Sequence, residues 1–167
     1  MALFRSVESL LATNNGRARF VRRASLLAIA PSLLVFGVLV TLGMETLRAP
    51  PGALDPAFVA YSVLLAPAIE TAVMLALAAV LARVAPKHVA LQIVLVALIA
   101  TLVHRIGGDW RQVVRTSWPI LVYATGLVLW LRRSASDAFI VTTIVHALYN
   151  AAFFAVGILG TLVAGDG

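Results

Sequence analysis

Four polar residues set inside apolar stretches of this sequence have the types and spacing to do chemistry. His146 and Asn150 lie four apart in Ile140-Val-Thr-Thr-Ile-Val-His-Ala-Leu-Tyr-Asn-Ala-Ala-Phe-Phe. That spacing stacks two side chains on one helix face. Glu70 sits in Leu64-Leu-Ala-Pro-Ala-Ile-Glu-Thr-Ala-Val-Met-Leu, and His104 closes Val96-Ala-Leu-Ile-Ala-Thr-Leu-Val-His. Ionisable groups at membrane depth are costly and rare, so three of them with an asparagine point to a site. A carboxylate and an imidazole flanking one water can take its proton and hold it for attack on a carbonyl. A second imidazole and a carboxamide can donate hydrogen bonds to the developing oxyanion. Glu70, His104 and His146 also form a two-histidine, one-carboxylate set suited to a divalent metal such as zinc, and the sequence leaves metal dependence open. It contains no His-Glu-x-x-His zinc motif, no Gly-rich phosphate loop and no Ser-centred elbow.

A common depth links the four. At ~1.5 Å per helical residue, Glu70 lies ~20 Å from the basic end marked by Arg83, and His104 lies ~24 Å from His88. Counted from Asp137, His146 comes at ~13 Å and Asn150 at ~20 Å. Three helices thus bring polar groups to one slab in the middle of a bilayer. Pro67, three residues before Glu70, removes a backbone donor and predicts a local kink beside that carboxylate. Each residue alone has a plainer explanation. A single intramembrane His or Asn can simply bond a neighbouring helix, worth about 0.6 kcal/mol, and Glu70 can pair with Arg105 or Arg111. His88, beside Lys87 at a loop edge, reads as ordinary interface. The shared depth and mutually useful chemistry favour a site.

The elements that must position these groups follow from composition. The chain has 167 residues, of which 62% are hydrophobic and 12% charged, with a mean hydropathy of +1.01. Soluble domains are nearer half apolar and a quarter charged, so this is the composition of an integral membrane protein. The absence of Cys excludes disulfides, thiolate metal sites and a Cys nucleophile. A net charge of +6 does not imply nucleic acid, because the basic residues flank apolar spans instead of forming one patch. Arg17, Arg19, Arg22 and Arg23 precede the first span, where membrane lipids with anionic headgroups would meet them. The long polar N-terminal region and the further spans downstream make a signal peptide a poor fit.

Hydropathy and breakers predict an all-α, multi-pass transmembrane helix bundle of about five spans, near Ser25–Met44, Ala57–Ala85, Val89–Ile106, Trp118–Leu131 and Ala138–Ala164. Residues 1–23 read as a cytoplasmic basic segment and 24–165 as one helical domain. Residues 2–12 have the spacing of a short interfacial helix or of a frayed tail. Trp110, Trp118 and Trp130 fall near span ends, as an aromatic belt predicts. With the N-terminus inside, the inner segments hold Arg5, Arg17, Arg19, Arg22, Arg23, Arg83, Lys87, Arg132 and Arg133. The outer ones hold Arg48, Arg105, Arg111 and Arg115. Nine against four predicts a cytoplasmic N-terminus, in a bacterial inner membrane.

In order and approximate spacing, the four residues resemble the motifs of the CAAX protease and bacteriocin-processing family of intramembrane proteases, also called CPBP or Abi proteins. The family pattern is Glu-Glu-x-x-x-Arg, then Phe-x-x-x-His, then His-x-x-x-Asn, each on a transmembrane helix. The third motif is complete as His146-Ala-Leu-Tyr-Asn150. The second, Ala100-Thr-Leu-Val-His104, keeps the His and replaces the Phe. The first, Glu70-Thr-Ala-Val-Met-Leu75, keeps the first Glu, preceded by Pro67, but has Thr71 and Leu75 where the family has Glu and Arg. The resemblance spans roughly residues 57–160. It implies an endopeptidase in which Glu70 and His104 activate water while His146 and Asn150 form the oxyanion hole, acting on a peptide or a membrane-protein tail. Leu75 in place of Arg would leave Glu70 without an electrostatic neighbour. The rival expectations are a relative that has lost catalysis and serves as a subunit of a larger membrane complex, and a haem protein with His104 and His146 as axial ligands.

Overall fold

The computed structural model describes residues 16–46, 49, 51–107 and 110–164, and the segment 2–12 lies outside them. The described chain is helical, with no strand among the described residues. Helix α1 runs Arg17–Thr41, α2 Pro56–Val84, α3 Val89–Gly107, α4 Trp110–Leu131 and α5 Ala135–Ala164. Helices α1, α2, α4 and α5 are long and apolar enough to cross a membrane, and the apolar run of α3, Val89–His104, is shorter. Large apolar side chains such as Leu34, Val73 and Leu162 face outward, as suits a lipid solvent.

Two helices begin earlier than hydropathy indicates. Helix α1 starts at Arg17, not near Ser25, and α4 at Trp110, not at Trp118. Arginine is a good helix former whose long stem can lie along the helix while its charge reaches the polar layer, so charge ends a hydropathy window without ending the helix. The Arg17–Arg23 cluster is therefore the first two turns of α1. Arg17 is ion-paired with Asp137 in the first turn of α5. At the same end, Arg132 Nη2 donates to the Pro86 carbonyl at 2.8 Å, tying the α4–α5 turn to the α2–α3 turn.

Helix α4 is the hub, packed against the other four. Its middle turns, residues 122–128, are buried on every side. Helix α1 packs on α4 and α5 and buries Phe20, Ala24, Ala28 and Ser32 at four-residue spacing, the small residues letting backbones approach. At Gly126 the approach is closest, since a Cβ there would sit 2.6 Å from Phe20 Cζ. The Phe20 ring packs edge-on against Trp130 at 5.5 Å. Trp130 is thus core, and Trp118 is a strut, its indole Nε1 donating to the Leu27 carbonyl at 2.6 Å. Of the three tryptophans expected in an aromatic belt, Trp110 is the half-exposed one.

Helix α2 is capped by Asp55, whose side chain accepts from the Ala57 N–H, with Pro56 at its first position. Between Pro56–Ala60 and Ala66–Val84 it passes through a π-helical turn, Tyr61–Leu65. The irregularity expected beside Pro67 is this widened turn.

Candidate active site

Glu70 sits 14 residues from both Pro56 and Val84, at the midpoint of α2. Its carboxylate faces α3 and α5: Oε2 lies 3.5 Å from His104 Nε2 and 3.6 Å from His146 Nε2. Glu70, His104, His146 and Asn150 all line one cavity of about 460 Å³. The four residues singled out by sequence converge, and the two histidines are the electrostatic neighbours of Glu70. The side chain of Glu70 is 40% exposed, into this space, against 23% for His104 and 9% for His146. His88 is exposed at the start of α3 and does not line the cavity.

Each imidazole is held differently. His104 Nδ1 lies 2.9 Å from the Ala100 carbonyl one turn back, and a carbonyl can only accept, so Nδ1 carries a hydrogen. In a neutral ring that leaves the lone pair of Nε2 facing Glu70. Two acceptors do not attract, so the pair shares a proton or turns to a water between them. At 3.5–3.6 Å the contacts are long for direct hydrogen bonds. A water about 2.8 Å from both atoms fits such a spacing. His146 is fixed by packing instead: its ring stacks on Tyr123 of α4 with centroids 4.6 Å apart and planes 27° apart. Its Nδ1 is buried with no hydrogen-bond partner, so the polar work of this ring falls to Nε2, on the side of Glu70.

Asn150, one turn beyond His146, donates through Nδ2 to the Ser62 carbonyl at 2.9 Å, so this N–H is committed to the backbone of α2. Thr71 is fully buried and Leu75 packs against the core, and neither lines the cavity. Being four apart, they share one helix face.

From Glu70 the cavity extends to the bundle end opposite the Arg17–Asp137 pair, where Glu45, Thr46 and Gln112 line it. There Arg115 Nη1 lies 3.9 Å from Glu45 Oε1, and its guanidinium stands over the rings of Phe36 and Phe153, 5.8 Å from each centroid. Arg115 and Tyr123 are parts of the site that the sequence did not reveal. Arg115 counts by sequence only among the outer charges, and Tyr123 lies in an apolar run with no local signal to mark it.

Among the described residues no group of three histidine or acidic side chains is arranged to hold a metal ion. No step below passes through a metal. The Nε2 atoms that would face a haem iron both stand within 3.6 Å of Glu70 Oε2.

Fold and site define a class: an all-helical bundle whose four long apolar helices fit a membrane protein, with one carboxylate and two imidazoles turned into an internal cavity. No protein-family model matches the chain, and neither a curated protein nor a solved structure matches it.

Proposed function

We propose that the protein is an intramembrane endopeptidase of the CAAX protease and bacteriocin-processing type, hydrolysing a peptide bond of a peptide or membrane-protein tail. The observation that carries this reading is the placement of one Glu70 oxygen 3.5 Å from His104 Nε2 and 3.6 Å from His146 Nε2 inside a cavity. A water between Glu70 and His104 gives up a proton to this pair as its oxygen attacks the substrate carbonyl. The proton then passes to the leaving amine. The Nε2–H of His146 donates to the developing oxyanion, held in place by the stacked Tyr123 ring. The departures from the family pattern weigh little against this reading. Thr71 and Leu75 do not line the cavity, and the electrostatic neighbours that Glu70 has in place of the family's Arg are His104 and His146. We place the chain in a bacterial inner membrane with the Arg17–Arg23 end in the cytoplasm, on the charge asymmetry.

The test is cleavage of candidate membrane peptides by the wild type, Glu70→Gln and His88→Gln in matched liposomes. Wild type and His88→Gln should cleave alike, and Glu70→Gln should lose about 10²–10⁴ in rate. Equal cleavage by Glu70→Gln refutes the assignment. The second reading, a catalytically silent subunit of a membrane complex, draws on one of the two Nδ2 hydrogens of Asn150 being committed to Ser62. No cleavage by any variant, with isolation in a fixed stoichiometric assembly, would support it.

A further inference from the structure

We propose that Asn150 is a positioning residue that supplies the hydrogen bond Pro67 cannot make, and so holds the π turn that aims Glu70. In that turn the Ala66 N–H reaches back five residues to the Tyr61 carbonyl. The next bond in this register would run from residue 67 to the Ser62 carbonyl, and proline has no N–H. The Ser62 carbonyl, at the wall of the cavity, therefore needs a donor from outside its own helix. Asn150 Nδ2 supplies it from α5, at 2.9 Å.

The bundle solves the same problem a second time. Pro31 lies inside α1 and deprives the Leu27 carbonyl, four residues back, of its donor. Trp118 of α4 fills that place through its indole Nε1 at 2.6 Å. A donor sent across from another helix to a proline-orphaned carbonyl is thus a repeated device of this fold. At Ser62 it has a consequence for the site. A π turn carries one more residue than an α turn, and one residue is worth about 100° of helix rotation. Collapse of the turn would rotate Glu70, eight residues on, relative to the capped start of α2 at Asp55. The hydrogen-bond argument stands on geometry alone, and its consequence for rate rests on the hydrolytic reading above.

The experiment is a double-mutant cycle on the full chain in detergent and in liposomes, with Asn150→Ala, Pro67→Ala and their combination. Pro67→Ala returns an N–H that can complete the turn onto Ser62, so Asn150 should become dispensable. Asn150→Ala alone should lower the melting temperature by roughly 2–10 °C, and in the Pro67→Ala background by less than a third of that fall. Cleavage should follow the same pattern, lost in Asn150→Ala and regained in the double variant. If Asn150→Ala does not fold, the double variant should. Equal falls in both backgrounds overturn the proposal, as does an Asn150→Ala protein of unchanged melting temperature that loses the same cleavage factor with or without Pro67, the signature of an oxyanion donor. Failure of the double variant to fold where Pro67→Ala folds overturns it too. Should the wild type cleave nothing, the hydrolytic reading falls while the melting cycle still decides the role of Asn150.

Discussion

Shortening Glu70 by one methylene tests the site geometry more sharply than removing its charge. In Glu70→Asp the carboxylate keeps its basicity and draws back about 1.5 Å, one C–C bond. Its separations from His104 and His146, 3.5 and 3.6 Å in the wild type, would open to about 5 Å. A water held between the shortened carboxylate and His104 must then shift by roughly 1 Å from its line of attack, a misplacement that costs about 10²-fold in rate. Because the Glu70 side chain is 40% exposed to the cavity, shortening it leaves no void in the core, and the melting temperature should not change. The assay is single-turnover cleavage of a reporter membrane peptide in liposomes, with melting of each variant measured alongside. The expected order is wild type, then Glu70→Asp about 10²-fold down, then Glu70→Gln at or below it. Glu70→Asp within threefold of the wild type would refute the positioning argument, because a base indifferent to 1.5 Å is not held in a fixed triangle with two imidazoles.

Two further outcomes test the scaffold. Gly126→Ala places a methyl 2.6 Å from Phe20 Cζ, where carbon atoms prefer about 3.5–4.0 Å, and should cost about 1–3 kcal/mol of unfolding free energy. The double variant with Phe20→Leu should recover most of it, and an undiminished loss there would place the strain elsewhere. For topology, single cysteines replacing the exposed Arg22 and Leu54 are read with a membrane-impermeant thiol reagent on intact cells. Leu54→Cys should label and Arg22→Cys should not, and the reverse would invert the orientation.

What the sequence alone determined is what depends on local periodicity and on the cost of burying charge. The apolar spans follow from runs that no soluble fold would carry, and His146 and Asn150 share a face by spacing alone. Glu70, His104 and His146 stood out because each is expensive at its depth, and tertiary structure brings all of them to one cavity. Packing decided the rest. Hydropathy started α1 and α4 too late because it scores arginine as polar, whereas a helix in contact with its neighbours can continue through arginine. Trp118 and Trp130 had the positions of belt residues, but their partners, the Leu27 carbonyl and the Phe20 ring, lie on another helix. Tyr123 and Arg115 joined the site only through the rotation of α4 about its own axis, which its packing against the four other helices sets. The role of Asn150 was least legible. Pro67 foretold a break in α2, but which carbonyl the break would free depended on the turn widening to a five-residue register. Which donor would meet that carbonyl depended on where α5 crosses, 88 residues away in sequence. Local preference writes the helices and the cost of burial marks the polar groups. Only the crossing of helices determines which orphaned atom meets which donor, because that pairing is a property of two surfaces in contact.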